Sequence, residues 1–149
     1  MQLSTKGRYG VRAMFDLALQ QKEGPIPLKE IAERQKISDN YLEQLIAVLK
    51  NNRLVESVRG AYGGYLLAKP PEEISIGDII RALEGPIDLA DCVGGRSCEF
   101  EDNCIVELIW QKVKKEIDDI LDSITLEDLL QEAANAQQDD KQHGYMYYI

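Results

Sequence analysis

Apolar positions recur at helical spacing along most of the chain. Between residues 6 and 22, Val11, Met14, Phe15, Ala18 and Leu19 fall on one helical face, and Glu23-Gly24-Pro25 ends the run. Residues 28–35 form a short amphipathic helix with Leu28, Ile31 and Ala32 inward. Ile37-Ser38-Asp39 then makes a tight turn. Ser38 is a natural N-cap for a second helix, from Asp39 to about Asn52, whose apolar side carries Leu42, Leu45, Ile46 and Leu49. Two short helices joined by a tight turn behind a longer one predict a helix-turn-helix.

The pattern next changes to that of strands. Residues 54–58 and 65–68 read as two strands, with Arg59-Gly60-Ala61-Tyr62-Gly63-Gly64 as the hairpin tip between them. A β-hairpin after the second helix is the wing of a winged helix, and Pro70-Pro71 closes the unit. Residues 76–83 form another short helix, ended by Gly85-Pro86. From Cys104 to about Leu121, Ile105, Leu108, Ile109, Val113, Ile117, Ile120 and Leu121 recur at helical spacing. That seam is wide for a helix on so small a unit and predicts a dimer interface. A short capped helix starts at Thr125, and residues 134–142 read as a disordered linker.

The fold class expected is therefore mainly α with a small β-hairpin. A winged helix-turn-helix spans 1–70, and a connecting helix with the cysteine segment spans 71–103. A dimerisation helix with a short helix spans 104–130, and a flexible tail 131–149.

Charge sharpens this division. The 149-residue chain carries a net charge of −9, unevenly spread. Residues 1–70 hold 11 Lys/Arg against 7 Asp/Glu, whereas residues 71–149 hold 6 against 19. The asymmetry suits a first half that faces nucleic acid and a second that does not. Residues 1–7 lack the apolar core of a signal peptide, and no apolar run reaches membrane-spanning length, so a cytoplasmic location is expected.

Candidate chemistry lies in two places. Ser38, Asn40, Tyr41, Glu43 and Gln44 crowd the N-terminal end of the second helix, the end that such helices insert into the major groove. Asn and Gln can pair bidentately with adenine, and Glu can accept from the cytosine amino group. Ser38 and Tyr41 suit phosphates, and Arg59 beside Gly60 suits a minor groove. The second place holds all three cysteines, Cys92, Cys98 and Cys104, spaced C-x5-C-x5-C among glycines and carboxylates. Three soft thiolates point to a metal or iron–sulfur site one protein ligand short. A Cys92–Cys98 thiol switch and a zinc site completed by Glu107 are the other readings of the trio. No acid–base constellation or nucleotide-cofactor motif argues for an enzyme.

Four strings carry a family resemblance: residues 3–10 (LSTKGRYG), 41–45 (YLEQL), 58–65 (VRGAYGGY) and 77–85 (GDIIRALEG). Through them the chain resembles the Rrf-two-type winged-helix repressors, to about residue 130. The resemblance implies a homodimer that reads a near-palindromic operator, with residues 104–121 as the dimer seam. It also implies that Glu43 and Gln44 face bases and that Arg59 enters the minor groove. Tyr9 and Gly60, within the matched strings, complete the expected DNA-binding set.

The cysteine spacing is similar to that of the IscR-like members, which implies a 2Fe-2S cluster on three cysteines and a histidine three residues after the last. Glu107 stands at that position, and the sole histidine, His143, lies far along the tail. NsrR-like members use an N-terminal Asp, where this chain offers Lys6 and Arg8. The tail ends Tyr145-Met146-Tyr147-Tyr148-Ile149, which resembles the CymR-like C-terminus that docks with cysteine synthase. The resemblance thus implies an iron–sulfur-sensing repressor of cluster-biogenesis genes. Its alternative is a CymR-like repressor of cysteine and sulfur metabolism, controlled by cysteine synthase through Tyr148 and Ile149.

Overall fold

The computed structural model describes residues 3–90 and 104–143. Helix α1 (Thr5–Leu19) is followed by α2 (Leu28–Gln35) and α3 (Asp39–Asn51). Strands β1 (Val55–Val58) and β2 (Gly64–Leu67) pair antiparallel, Val55 opposite Leu67 and Val58 opposite Gly64. Helices α4 (Ile76–Glu84), α5 (Ile105–Ser123) and α6 (Leu126–His143) complete the described residues.

Local chemistry fixes the helix starts. The Ser38 hydroxyl accepts the Tyr41 N–H at 3.3 Å, the expected N-cap of α3. Ser75 and Asp78 form a reciprocal capping box on α4. Thr125 and Asp128 do the same for α6, with the Thr125 N–H donating to the Asp128 carboxylate at 2.9 Å. At the wing tip Gly60 has φ +114°, a conformation that side-chain-bearing residues rarely adopt.

The core lies where α1, α2, α3, α4 and the base of the wing converge. Met14 and Leu17 of α1, Ile31 of α2, Leu42 and Leu49 of α3 and Ile79 of α4 are fully buried there. One charged side chain joins them: Asp16 is 1% exposed. Its carboxylate accepts from Arg34 Nη2 at 2.8 Å and from Gln35 Nε2 at 2.9 Å, so α1 and α2 are locked by a satisfied ion pair. Gly10 lets α1 and α4 approach closely, because a Cβ there would overlap the Leu83 side chain.

Two expectations are corrected. Leu19 faces solvent rather than the core, and Leu17 and Ala13 take the buried positions of α1. Residues 134–142 are not a linker, because α6 runs unbroken from Leu126 to His143. The boundary expected near residue 130 consequently falls inside α6. Alanine and glutamine in this stretch are good helix formers, which offsets its polar composition. The start of α6 also returns to the first half of the chain. Leu126 is fully buried, its N–H donates to the Ile74 carbonyl at 2.9 Å, and the Ile76 N–H donates to the Ile124 carbonyl at 2.8 Å.

Helix α5 differs from the rest in having no buried residue. Ile105 is 77% exposed, and Leu108, Ile109, Val113 and Ile120 are also open to solvent. Its C-terminal part is held to α4 through Arg81, which pairs with Asp118 at 3.4 Å and with Asp122. These carboxylates raise the Arg81 pKa above its ordinary value, the Asp122 hydrogen bond contributing most.

Candidate nucleic-acid interface and metal centre

The residues expected to face DNA lie at the start of α3, on α1 beside it and at the wing tip. At the start of α3, Ser38, Asn40, Glu43 and Gln44 are exposed and Tyr41 is half-buried. The Tyr9 ring meets the Tyr41 ring edge-on, 6.0 Å between centroids, and the Arg12 guanidinium lies 5.6 Å from the Tyr9 ring centre. Tyr9 also packs on the core, so it supports the start of α3. Arg59 and Gly60 are exposed at the wing tip, where the Gly63 N–H closes the turn on the Gly60 carbonyl at 3.0 Å.

Sequence reasoning passed over Tyr62. It stands at the same tip and is 94% exposed, far more open than an aromatic ring usually is. The signal was present in the matched string around the wing, but an aromatic between glycines reads first as a turn residue. Beside the start of α3, Ser4, Thr5, Lys6 and Tyr41 line an open cleft of 530 Å³.

At the metal-centre candidate the described residues supply two donors. Cys104 is the N-cap of α5, and its thiol is partly exposed. The Glu107 N–H donates to the Cys104 carbonyl at 3.1 Å, which places Glu107 in the first turn. The Glu107 carboxylate accepts from Gln111 Nε2 at 2.8 Å. Both donors thus stand at the N-terminal end of α5. Among the described residues no three His, Cys, Asp or Glu side chains converge as a metal site. Cys92 and Cys98 lie outside the described residues, as do Tyr148 and Ile149. His143 is the last residue of α6. No helix among the described residues is long and apolar enough to cross a membrane.

Known proteins match this arrangement over most of the chain. The sequence profile described as Rrf2, iron-dependent transcriptional regulator, matches residues 3–132. The chain is 48% identical to the HTH-type transcriptional regulator IscR of Pectobacterium atrosepticum, over 87% of this chain and 79% of that protein. It is 46% identical to the HTH-type transcriptional regulator CymR of Bacillus subtilis, over the full length of both. The solved structure of T. potens IscR superposes with a TM-score of 0.77 at 53% identity, covering 92% of this chain and 91% of that one. These relatives are regulators of transcription, not enzymes. With its winged helix and its match over residues 3–132, the chain belongs to the Rrf2 family of transcriptional regulators.

Proposed function

We propose that the chain is a homodimeric DNA-binding repressor whose affinity for its operator depends on an iron–sulfur cluster. Cys92, Cys98 and Cys104 would hold the cluster, with Glu107 as fourth ligand, and a 2Fe-2S form fits three thiolates and one further donor. The observation that carries this reading is the position of Cys104 and Glu107, one turn apart at the start of α5. Whatever binds the cysteine segment is thereby connected to the helix that, among the described residues, exposes the most apolar side chains. Paired with a second copy, that helix would set the distance between two α3 helices and hence between operator half-sites.

Glu43 and Gln44 would read base edges, and Arg59 with Gly60 would enter the minor groove. Ser38, Asn40, Tyr41 and Tyr9 would hold the register on the backbone. Such a regulator works in the cytoplasm, beside its operator. When bound, the cluster supplies a redox- and iron-dependent charge at the head of α5. A carboxylate is a harder ligand for iron than imidazole, which suits a cluster that must be lost readily.

The test is anaerobic isolation of the wild type beside Glu107→Ala and Glu107→His. Iron and acid-labile sulfide are expected in the wild type, less in Glu107→Ala and a more persistent cluster in Glu107→His. Metal-free, colourless wild type after anaerobic reconstitution overturns the reading.

One observation favours a second reading, a repressor of cysteine and sulfur metabolism. The match to B. subtilis CymR extends over the whole chain, including the tail beyond residue 132. On this reading Tyr148 and Ile149 would dock with cysteine synthase through their apolar side chains. Deleting these two residues should abolish co-purification with cysteine synthase, and an unchanged complex rejects it.

A further inference from the structure

One side chain of α1, Arg12, reaches both ends of the turn in the helix-turn-helix. Its Nε donates to the Gln35 side-chain oxygen at 3.2 Å and its Nη2 to the Gln35 carbonyl at 3.0 Å. Gln35 is the last residue of α2, so its carbonyl is among the acceptors that a helix leaves without an internal donor. The same guanidinium lies 5.6 Å from the centre of the Tyr9 ring, and that ring meets Tyr41 edge-on. Tyr41 stands in the first turn of α3. Arg12 thus touches the end of α2 directly and the start of α3 through a single ring, with residues 36–38 between them.

Asp16 supports this arrangement from the core. Gln35 Nε2 donates to the buried Asp16 carboxylate at 2.9 Å, and Arg34 holds the same carboxylate at 2.8 Å. A carboxylate only accepts and a guanidinium only donates, so one orientation of the Gln35 amide serves both neighbours. Asp16, Gln35, Arg12, Tyr9 and Tyr41 therefore form a continuous series from a buried charge to the helix expected in the major groove.

Two holds meet at its far end. The Ser38 hydroxyl takes the Tyr41 N–H, and Tyr9 takes the Tyr41 ring. Tyr41 and Gln44 are three residues apart and so share a face of α3, with Glu43 beside them. A recognition group has to be held to about 0.5 Å, which requires neighbours that lock it. The turn itself runs through Lys36, whose φ of +54° lies in the left-handed region. Such a conformation persists where the surroundings over-determine it, and Arg12 grips the residue before it.

We propose that Arg12 is a positioning residue for operator recognition: it braces the α2–α3 turn from both ends and sets the start of α3 for base readout, without itself touching DNA. The proposal rests on the DNA-binding reading above. A cation at a helix C-terminus also favours the helix dipole, and a purely stabilising role of that kind would leave the affinity of the folded protein unchanged.

The experiment uses full-length protein and a fluorescent duplex several turns long, selected by the wild type from a randomised pool. Affinity is followed by anisotropy from about 50 to 200 mM KCl, with thermal unfolding measured alongside. Folded Arg12→Ala should bind about tenfold more weakly, within the range of couplings between residues in contact. The slope of log Kd against log salt should stay at the wild-type value. A slope shallower by about 0.9 would make Arg12 a phosphate contact and overturn the proposal. Wild-type affinity with a lowered unfolding temperature would assign Arg12 to stability alone and overturn it too. Arg12→Lys keeps the charge but not the planar fork that meets two acceptors, so it should bind as weakly as Arg12→Ala. Full affinity in Arg12→Lys would show that charge suffices, against the proposal. Tyr9→Leu keeps an apolar side chain and removes the ring; combined with Arg12→Ala, it should weaken binding by less than the two separate losses together. Losses that add in full would mean that Arg12 does not act through Tyr9. Failure of the wild type to select any duplex would reject the DNA-binding reading itself, whereas selection with unaltered variants rejects the role of Arg12 alone.

Discussion

Glu84, the last residue of α4, accepts a hydrogen bond from the Ser4 backbone N–H at 2.7 Å and another from the Ser4 hydroxyl. Ser4 is the N-cap of α1, but its own side chain caps nothing within that helix. The free N-terminal end of α1 is therefore capped in part from 80 residues away. The contact ties the helix that precedes the cysteine segment to the cleft beside Tyr41.

Glu84→Ala should lower stability by about 0.5–2 kcal/mol, the usual cost of a lost cap. Urea unfolding measures it, with the lower half of that range expected because the pair is exposed to solvent. A midpoint equal to that of the wild type would remove Glu84 from this role.

Leu126 is fully buried against the first-half core although it opens the last helix. Leu126→Ala should cost about 2–5 kcal/mol and shift a single cooperative transition. Were α6 an independent appendage, the winged helix would melt as in the wild type.

Among the described residues, the exposed stripe on α5 has no buried member. Leu108→Glu with Ile109→Glu should thus leave helical content and the folded monomer intact. By light scattering the wild type should be a dimer and the double variant a monomer. A dimeric double variant would move the interface to another surface.

Gln44 is exposed at the start of α3, free to reach a base edge. Gln44→Ala should relax preference at one position of the selected duplex by about 1–3 kcal/mol, with the salt slope unchanged. Parallel selection with both proteins reads this directly.

Much of the architecture was legible because its signals are local. The apolar spacing of α3, the Ser38 cap and the glycine-rich wing tip each arise within a few residues. What escaped arises from contacts distant in sequence. Asp16 reads as a polar residue of an amphipathic helix, and only the approach of Arg34 and Gln35 from α2 makes it a buried lock. Leu126 reads as the start of a separate short helix until its N–H is seen on Ile74. The polar composition of residues 134–142 suggested a linker, whereas alanine and glutamine propensity carried α6 through it. On the candidate interface, the exposure of Glu43, Gln44 and Arg59 follows from their positions on α3 and the wing. The bonds from Arg12 to Gln35, 23 residues apart, leave no mark in the sequence.

Among the described residues α5 is anchored at its C-terminal end, and this has a mechanical consequence. Its last turn is fixed by Arg81 and by the backbone bonds of Ile124 and Leu126, whereas its 19 residues extend about 28 Å back to Cys104. The helix is thus a lever with its fulcrum at the winged helix and its long arm ending at a thiol. A tilt of about 10° at the fulcrum displaces the far end by about 5 Å, as follows from that length. By the same ratio, a small adjustment of backbone at Cys104 reaches Arg81 as a torque rather than as a push.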